Sequence, residues 1–356
     1  MIIKSKIKDY EVVFDKREKF VCELSRTKNK VVVIDKNIYR LYRSLFSDNF
    51  NKNEIIIVEA VEENKNIEKA LEICENIAKL DSKKNTVLIS FGGGIIQDLT
   101  GFAANVMYRG IEWIFVPTTL LAQADSCIGG KTSINFSGYK NMLGTFFPPD
   151  RIYIDLDFIE TLKEDDYRSG LGEVVKFNIL AGKRGLKQIK EKLEYLLERK
   201  TLVLGSFVKR SLGFKKKYIE EDEFDRGIRK HLNFAHTFGH AFEKSSDYKI
   251  PHGQAVLLGI MMANFISFER GMLSEARKNE IEKICKKVFS IEFDRTWLDK
   301  DVLINAIRRD KKRIGEGLAA VLFYEDFSIS VIEDLKKEEI YHAIDYIEGI
   351  FQGGIK

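Results

Sequence analysis

The stretch TVLISFGGGIIQDLTGFAA, residues 86–104, decides the fold. TVLIS is a short, continuous apolar run with β-branched residues, the pattern of a strand buried on both faces. FGGG ends that strand, and IIQDLTGFAA opens a helix. Three glycines let the backbone approach a ligand closely, and a helix N-terminus offers free N–H groups to a phosphate. A tight strand-to-helix turn also uses glycine for its own sake, so GGG alone leaves dinucleotide binding and plain turn chemistry both open.

Upstream and downstream, the same rhythm repeats. VVVI (31–34), EIIIV (54–58), WIFV (113–116) and RIYI (151–154) predict further strands, and NIEKALEICENIAKL (66–80) has the apolar spacing of a helix. Strands alternating with helices imply a parallel α/β sheet of Rossmann type. After about residue 160, long amphipathic stretches take over at 168–181, 185–219, 229–246, 252–271 and 275–288. LAAVLFYEDFSISVI (318–332) suits a short hairpin packed on them. The expected organisation is an α/β domain over 1–157 and a mainly helical domain over 158–356, with a site in the cleft between them.

Composition narrows the function classes. The 58 Lys and Arg nearly balance 54 Asp and Glu, a net +4 that gives no nucleic-acid groove. Cys22, Cys74, Cys127 and Cys285 lie far apart, which predicts reduced thiols and a cytoplasmic protein. The N-terminal MIIKSKIKDYEVVF lacks the apolar segment of a signal peptide. VLLGIMMANFISF (256–268) is too short for a membrane span and predicts a buried helix.

Polar residues then pick out candidate sites. Asp35 ends the VVVI strand, where a carboxylate can hold a ribose hydroxyl or simply cap a helix. PTTLLAQADSCIGGKTSIN (117–135) is unusually polar for a connection, but its GGKT lacks the spacing of a P-loop. Lys131 and Lys140, with Asn141, could offer cations and donors to a phosphorylated substrate; singly, each also fits a solvated surface.

Four of the five histidines fall within HLNFAHTFGHAFEKSSDYKIPHGQ (231–254). His236 and His240 are four apart on a predicted helix, and His252 begins the next. Glu173 and Lys176, in SGLGEVVKF (169–177), share a helix face, as a surface ion pair or as part of a site. Glu173, His236 and His252 could supply three N/O ligands, the donor set of a catalytic metal with one open position. That leaves His240 for substrate, and His231 and His342 as structural residues.

In order along the chain, FGGGIIQDLTGFAA, MYRG, VPTTLLAQADSCIGGKTSIN, YKNMLGTFFPP, SGLGEVVK, DEFDRGIRKHLNFAHTFGHAFE and PHGQAV resemble the sugar phosphate cyclases, and among them the 3-dehydroquinate synthases. The resemblance implies metal ligation by Glu173, His236 and His252, with zinc or cobalt as the ion. It implies NAD binding by Asp35, Asn37, Glu62, Lys65, Gly93, Gly94, Asp98, Thr118, Thr119, Asp125, Ser126 and Lys140. Lys131, Asn141, Lys176, Lys215, Arg229, Asn233 and His240 match substrate-site positions, as does a lysine at 311 or 312. Arg109 matches an arginine that reaches the neighbouring subunit's substrate phosphate, which implies a homodimer.

The implied reaction is a phosphate-eliminating cyclisation of 3-deoxy-arabino-heptulosonate 7-phosphate, a step of the shikimate pathway to aromatic amino acids. Where the family has glycine, alanine, glycine and glutamate, this chain has Gln97, Gly172, Ala235 and Gln254. These departures leave room for a cyclase of sedoheptulose 7-phosphate, glucose 6-phosphate or an amino analogue. A metal-dependent polyol dehydrogenase shares the glycine turn and is the more remote alternative, and a non-catalytic binding protein the last.

Overall fold

The computed structural model describes residues 1–79, 84–309 and 318–352. Lys311 and Lys312 lie outside the described residues. The chain divides into two compact units, Met1–Leu162 and Lys163–Lys356.

In the first unit the strands are β1 (Ile2–Ile3), β2 (Tyr10–Phe14), β3 (Lys30–Asp35), β4 (Ile55–Val58), β5 (Val87–Gly92), β6 (Trp113–Pro117), β7 (Lys131–Phe136), β8 (Tyr139–Phe146) and β9 (Arg151–Ile154). Seven form one sheet in the order β1-β2-β9-β6-β5-β3-β4, while β7 and β8 pair with each other as a separate two-stranded sheet. Every neighbouring pair in the sheet is parallel except β1 with β2. The five strands expected from apolar runs are all present. Helices α1 (Arg17–Ser25), α2 (Lys36–Leu41), α3 (Arg43–Ser47), α4 (Ile67–Lys79) and α5 (Gly94–Val106) complete the unit.

Val32, Ile34, Ile89, Phe91 and Val116 from the sheet pack with Phe46 and Phe158 into a buried cluster. Each such side chain contributes about 1.5–3 kcal/mol relative to exposure. This core fixes the sheet order, and the order matters for function. From β3 the chain goes outward to edge strand β4, then returns to place β5 on the other side of β3. In a parallel sheet that reversal opens a crevice at the strands' carboxyl ends. Asp35 stands at one such end and Gly93 follows the other.

Two features differ from the sequence reading. Tyr10–Phe14 is a strand, paired in parallel with β9. The polar segment after Gly130 is the β7–β8 hairpin, not an irregular loop. Most of Tyr139–Phe146 is exposed or half-buried, so it carries none of the apolar alternation by which strands are recognised.

The second unit contains α6 (Glu164–Leu180), α7 (Lys183–Leu197), α8 (Thr201–Glu221), α9 (His236–Ser245), α10 (His252–Glu269), α11 (Glu275–Val288), α12 (Lys300–Arg309) and α13 (Lys337–Gln352), with the antiparallel hairpin β10 (Leu318–Phe323) and β11 (Ile329–Leu335). Helix α10 is the hub, packed by α6, α9, α11, α13 and β10. Enclosure on all sides explains why 256–268 is apolar without periodicity. Among the described residues no helix is long and apolar enough to cross a membrane.

Two expected helices are broken. The stretch 185–219 divides at Glu198–Lys200, where Arg199 has φ +58°. The stretch 229–246 divides into a short turn, Ile228–Asn233, and α9, with Ala235 between them at φ +70°. Neither break carries a proline or glycine, which is why periodicity alone read through both.

Candidate functional site

Helices α6, α9 and α10 bring Glu173, His236 and His252 together, with one ligand atom from each within 4.8 Å of the others. Glu173 is fully buried, and its Oε1 lies 3.4 Å from His236 Nε2 and 3.2 Å from His252 Nε2. Lys176, one turn along α6 and 1 % exposed, sets Nζ 2.7 Å from Glu173 Oε2 and donates to the Leu232 carbonyl. Even so, neither Glu173 oxygen receives a well-directed hydrogen bond.

Protonation follows from the surroundings. His236 Nδ1 donates to the Phe234 carbonyl at 3.0 Å, so in the neutral ring Nε2 carries a lone pair. Burial, with Lys176 nearby, holds His236 well below the usual histidine range and keeps it neutral. Burial also opposes charging His252, but Glu173 and Glu243 on its two sides outweigh it and push it up to about 10 when no metal competes. His252 Nδ1 lies 3.4 Å from Glu243 Oε1. Burial would raise Glu173, yet Lys176 and His252 hold it well below the usual carboxylate range.

A buried carboxylate oxygen facing the Nε2 lone pair of His236, with both Nδ1 atoms engaged elsewhere, is an arrangement that a cation completes. The residues therefore fit a divalent metal, with Phe234 and Glu243 orienting the rings. Glu243 escaped the sequence reading, although it sits three residues beyond His240 on the same face. His240, Glu243 and His252 also bring ligand-type atoms within 4.8 Å, which places His240 beside the triad.

Other expected residues lie in the same unit. Lys215 on α8 and Arg229 in the Ile228–Asn233 turn are buried, 8 % and 4 % exposed, and the turn packs on α8. Arg229 is braced by the Glu223 carbonyl, to which its guanidinium donates. Asn233 ends that turn and is exposed. His231 is half-buried with its ring edge-on to Tyr218.

The first unit holds a second constellation. At the glycine turn, a Cβ on Gly93 would fall 2.9 Å from Thr119 Cγ2, whereas one on Gly94 would meet no protein atom within 4 Å. The first-turn N–H groups of α5 thus border an open cradle. Thr118 donates its N–H to the Gly92 carbonyl at 2.9 Å, and its buried hydroxyl has no hydrogen-bond partner among the described residues. An open cradle beside an orphaned hydroxyl fits a dinucleotide's polar atoms. Asp35 caps α2 by accepting from the Asn37 N–H at 2.8 Å, so its capping role is real. Burial pushes its carboxyl above the usual range, against that hydrogen bond.

Lys65 joins residues that the sequence had placed in different sets. Its Nζ lies 2.6 Å from Asp98 Oδ2 and donates to Asn141 Oδ1 at 2.6 Å. Burial pushes the Asp98 carboxyl up, against the pull of Lys65. Ser133 donates from N–H to Asp98 at 3.1 Å and from its hydroxyl to Asn141 at 2.9 Å. Asn135 donates to Glu62 Oε1 at 2.8 Å and accepts from the Asn141 N–H at 2.9 Å. Ser133 and Asn135 were missed, although both lie within the GGKTSIN motif. Lys140 stands 4.0 Å from Glu62, and Lys131 is exposed at the start of β7. Arg109 is exposed in a Tyr108–Gly110 bend whose residues have φ of +49°, +66° and +116°.

Comparison with known proteins now bears on this geometry. Two family models match, described as 3-dehydroquinate synthase N-terminal over residues 55–169 and 3-dehydroquinate synthase C-terminal over 170–313. The chain belongs to the 3-dehydroquinate synthase family. A family member from Dictyoglomus thermophilum is 34 % identical over 88 % of this chain and 87 % of its own. The 2-epi-5-epi-valiolone synthase of Streptomyces hygroscopicus subsp. jinggangensis, solved with NAD+ and Zn2+, shares the fold at TM-score 0.85 and 21 % identity, over 98 % of this chain and 99 % of its own. A 2-deoxy-scyllo-inosose synthase, solved with carbaglucose-6-phosphate, NAD+ and Co2+, does so at TM-score 0.80 and 21 % identity, over 97 % and 98 %.

Against the dehydroquinate synthase pattern, the four departures acquire physical accounts. Gln254 is fully buried and accepts from the Ser290 N–H at 2.9 Å, tying α10 to the chain beyond α11. Ala235 occupies a left-handed conformation that costs a non-glycine residue about 1–2 kcal/mol. Its buried methyl returns about 0.8 kcal/mol. Ala235→Gly should therefore shift Tm by no more than about 3 °C and keep metal stoichiometry unchanged. Ala235→Val, β-branched at positive φ, should fall well below it; equal melts for the two would refute the strain.

Proposed function

We propose that this chain is a 3-dehydroquinate synthase, a carbon–oxygen lyase converting 3-deoxy-D-arabino-heptulosonate 7-phosphate to 3-dehydroquinate and phosphate. The observation that carries the reading is the Glu173–His236–His252 triad around the buried Glu173 carboxylate, in a dehydroquinate synthase family chain that keeps both Lys215 and Arg229. A substrate with a carboxylate and a phosphate needs more cations than a neutral sugar phosphate does. When bound, NAD would accept a hydride from a ring carbinol and return it after phosphate has left, and a divalent zinc or cobalt ion would polarise the reacting hydroxyls.

The chain's own groups supply the rest. Glu173, His236 and His252 hold the ion, with Glu243 and the Phe234 carbonyl fixing the imidazoles. Lys176, paired with Glu173, favours developing oxyanion charge. His240 and Asn233 hydrogen-bond substrate hydroxyls, and Lys215 and Arg229 take the carboxylate. Lys131 and Asn141 belong to the substrate set. Asp35, Asn37, Glu62, Lys65, Asp98, Lys140, Thr118, Thr119 and Asp125 line the dinucleotide site around Gly93 and Gly94. Arg109, projected by its strained bend, would reach the substrate phosphate of a neighbouring copy, which makes the active form a homodimer. Such an enzyme would work in the cytoplasm, in the shikimate pathway.

The test is phosphate release by purified protein with NAD and zinc. It is offered the heptulosonate 7-phosphate, sedoheptulose 7-phosphate, glucose 6-phosphate and an amino analogue. Release from the first, without accumulation of NADH, is the expected result. Release only from a neutral sugar phosphate would reject the synthase assignment. NADH accumulating with glycerol or a diol would mark a dehydrogenase instead.

A further inference from the structure

The segment running from Thr118 to Ser126 forms one flank of the glycine turn, and it is fastened at both ends. Its near end is held by the Thr118 N–H on the Gly92 carbonyl. In its far end, a π-helical turn over Ala122–Ser126, Gln123 donates to the Asp155 carbonyl at 2.8 Å, and the last residue, Ser126, is held by a side chain of α5. Gln97 Nε2 donates to the Ser126 carbonyl at 2.7 Å, and the Ser126 hydroxyl donates to Gln97 Oε1 at 2.7 Å. Gln97 is 3 % exposed and lies one turn into α5, its own N–H bonded to the Gly93 carbonyl. The amide thus uses both its donor and its acceptor on a single residue. Both bonds leave the glycine turn itself open.

We infer that Gln97 is a positioning residue for the dinucleotide site, latching the Thr118–Ser126 flank to the helix that presents the glycine turn. The inference rests on the NAD reading above. Glycine at this position would make neither bond, leaving the Ser126 carbonyl and hydroxyl to find water. The latch also changes what Ser126 does: its hydroxyl proton is committed to Gln97, so Ser126 acts through the latch and not as a direct cofactor contact. Thr119 and Asp125 lie between the two fastenings, so their placement against Gly93 depends on both.

Gln97→Met keeps the length and burial of the side chain and removes the amide. With zinc-loaded full-length protein, NAD affinity measured by titration calorimetry should fall about tenfold, the worth of two hydrogen bonds. KM for NAD should rise in step, while kcat at saturating NAD and zinc content stay within about twofold. Ser126→Ala removes only a hydroxyl and should weaken NAD about threefold, and the double variant should be no worse than Gln97→Met alone. Ser126→Ala carries the test on its own if Gln97→Met folds poorly. Unchanged NAD affinity in Gln97→Met or in Ser126→Ala, or full additivity in the double variant, overturns the latch while sparing the cofactor reading. Failure of the unaltered chain to bind NAD overturns both.

Discussion

Glu173→Gln should purify with less than about a tenth of the metal held by the unaltered protein and should release phosphate at least about a thousandfold more slowly. The substitution preserves shape and removes one charge, which is what makes it informative. Glu173 is the only anionic member of its triad, and its Oε1 faces both imidazole Nε2 atoms. An amide there presents a weaker donor to a cation. The same change takes from Lys176 its anionic partner, leaving Nζ the Leu232 carbonyl and the face of the Phe177 ring. Removing one member of a buried ion pair costs about 3–5 kcal/mol, so Tm should fall by about 10 °C as well. His252→Ala should also lose metal, whereas His240→Ala should retain it and lose turnover. Metal analysis on the purified variants separates these outcomes. Equal zinc in Glu173→Gln and the parent would remove the triad from the metal site, whatever the activity showed.

The triad was readable because its chemistry is concentrated in rare residues. Four histidines in a short stretch ask for a reason, whereas Glu173 beside Lys176 also fitted a surface ion pair until the resemblance singled it out. The groups that orient those ligands were not readable. Glu243 is one of many glutamates, and the Phe234 carbonyl has no signature in a sequence at all. It reaches His236 because Ala235 turns the backbone left-handed, and nothing about an alanine announces that. The dinucleotide side shows the same division. GGG and its flanking strands were legible from periodicity. The Lys65–Asp98–Asn141 network was not, because it closes through Ser133 and Asn135 on a largely exposed hairpin that has no apolar pattern. Continuous apolar strands betray themselves through burial on both faces. Polar networks depend on which loops meet, and that is a property of the folded sheet.

Close backbone approach at Gly172 and Gly253 yields the second large expectation. A Cβ on Gly253 would lie 1.7 Å from the Ser169 carbonyl oxygen, and one on Gly172 would lie 2.1 Å from the Gly253 carbonyl oxygen. The obstacles are backbone atoms of facing helices, so no rotamer change relieves them. The Gly253 N–H also donates to the Ser169 hydroxyl at 3.0 Å, a bond that requires this separation. Glu173 follows Gly172 on α6 and His252 precedes Gly253 on α10, so the contact sets the spacing of two metal ligands directly. Gly253→Ala must push the helices apart, lose that bond and misplace both ligands; it should be recovered mainly as insoluble or metal-free protein. Gly172→Ala should fold only with the two helices parted there by about an ångström, since its Cβ must clear the Gly253 carbonyl. It should still lose about 2–3 kcal/mol to overpacking and about tenfold in zinc affinity. Chemical denaturation and competitive zinc titration measure the two losses separately. If Gly172→Ala matched the parent in both, helix spacing would not govern the metal centre, and the glycine at 172 would be no more than a neutral replacement for alanine.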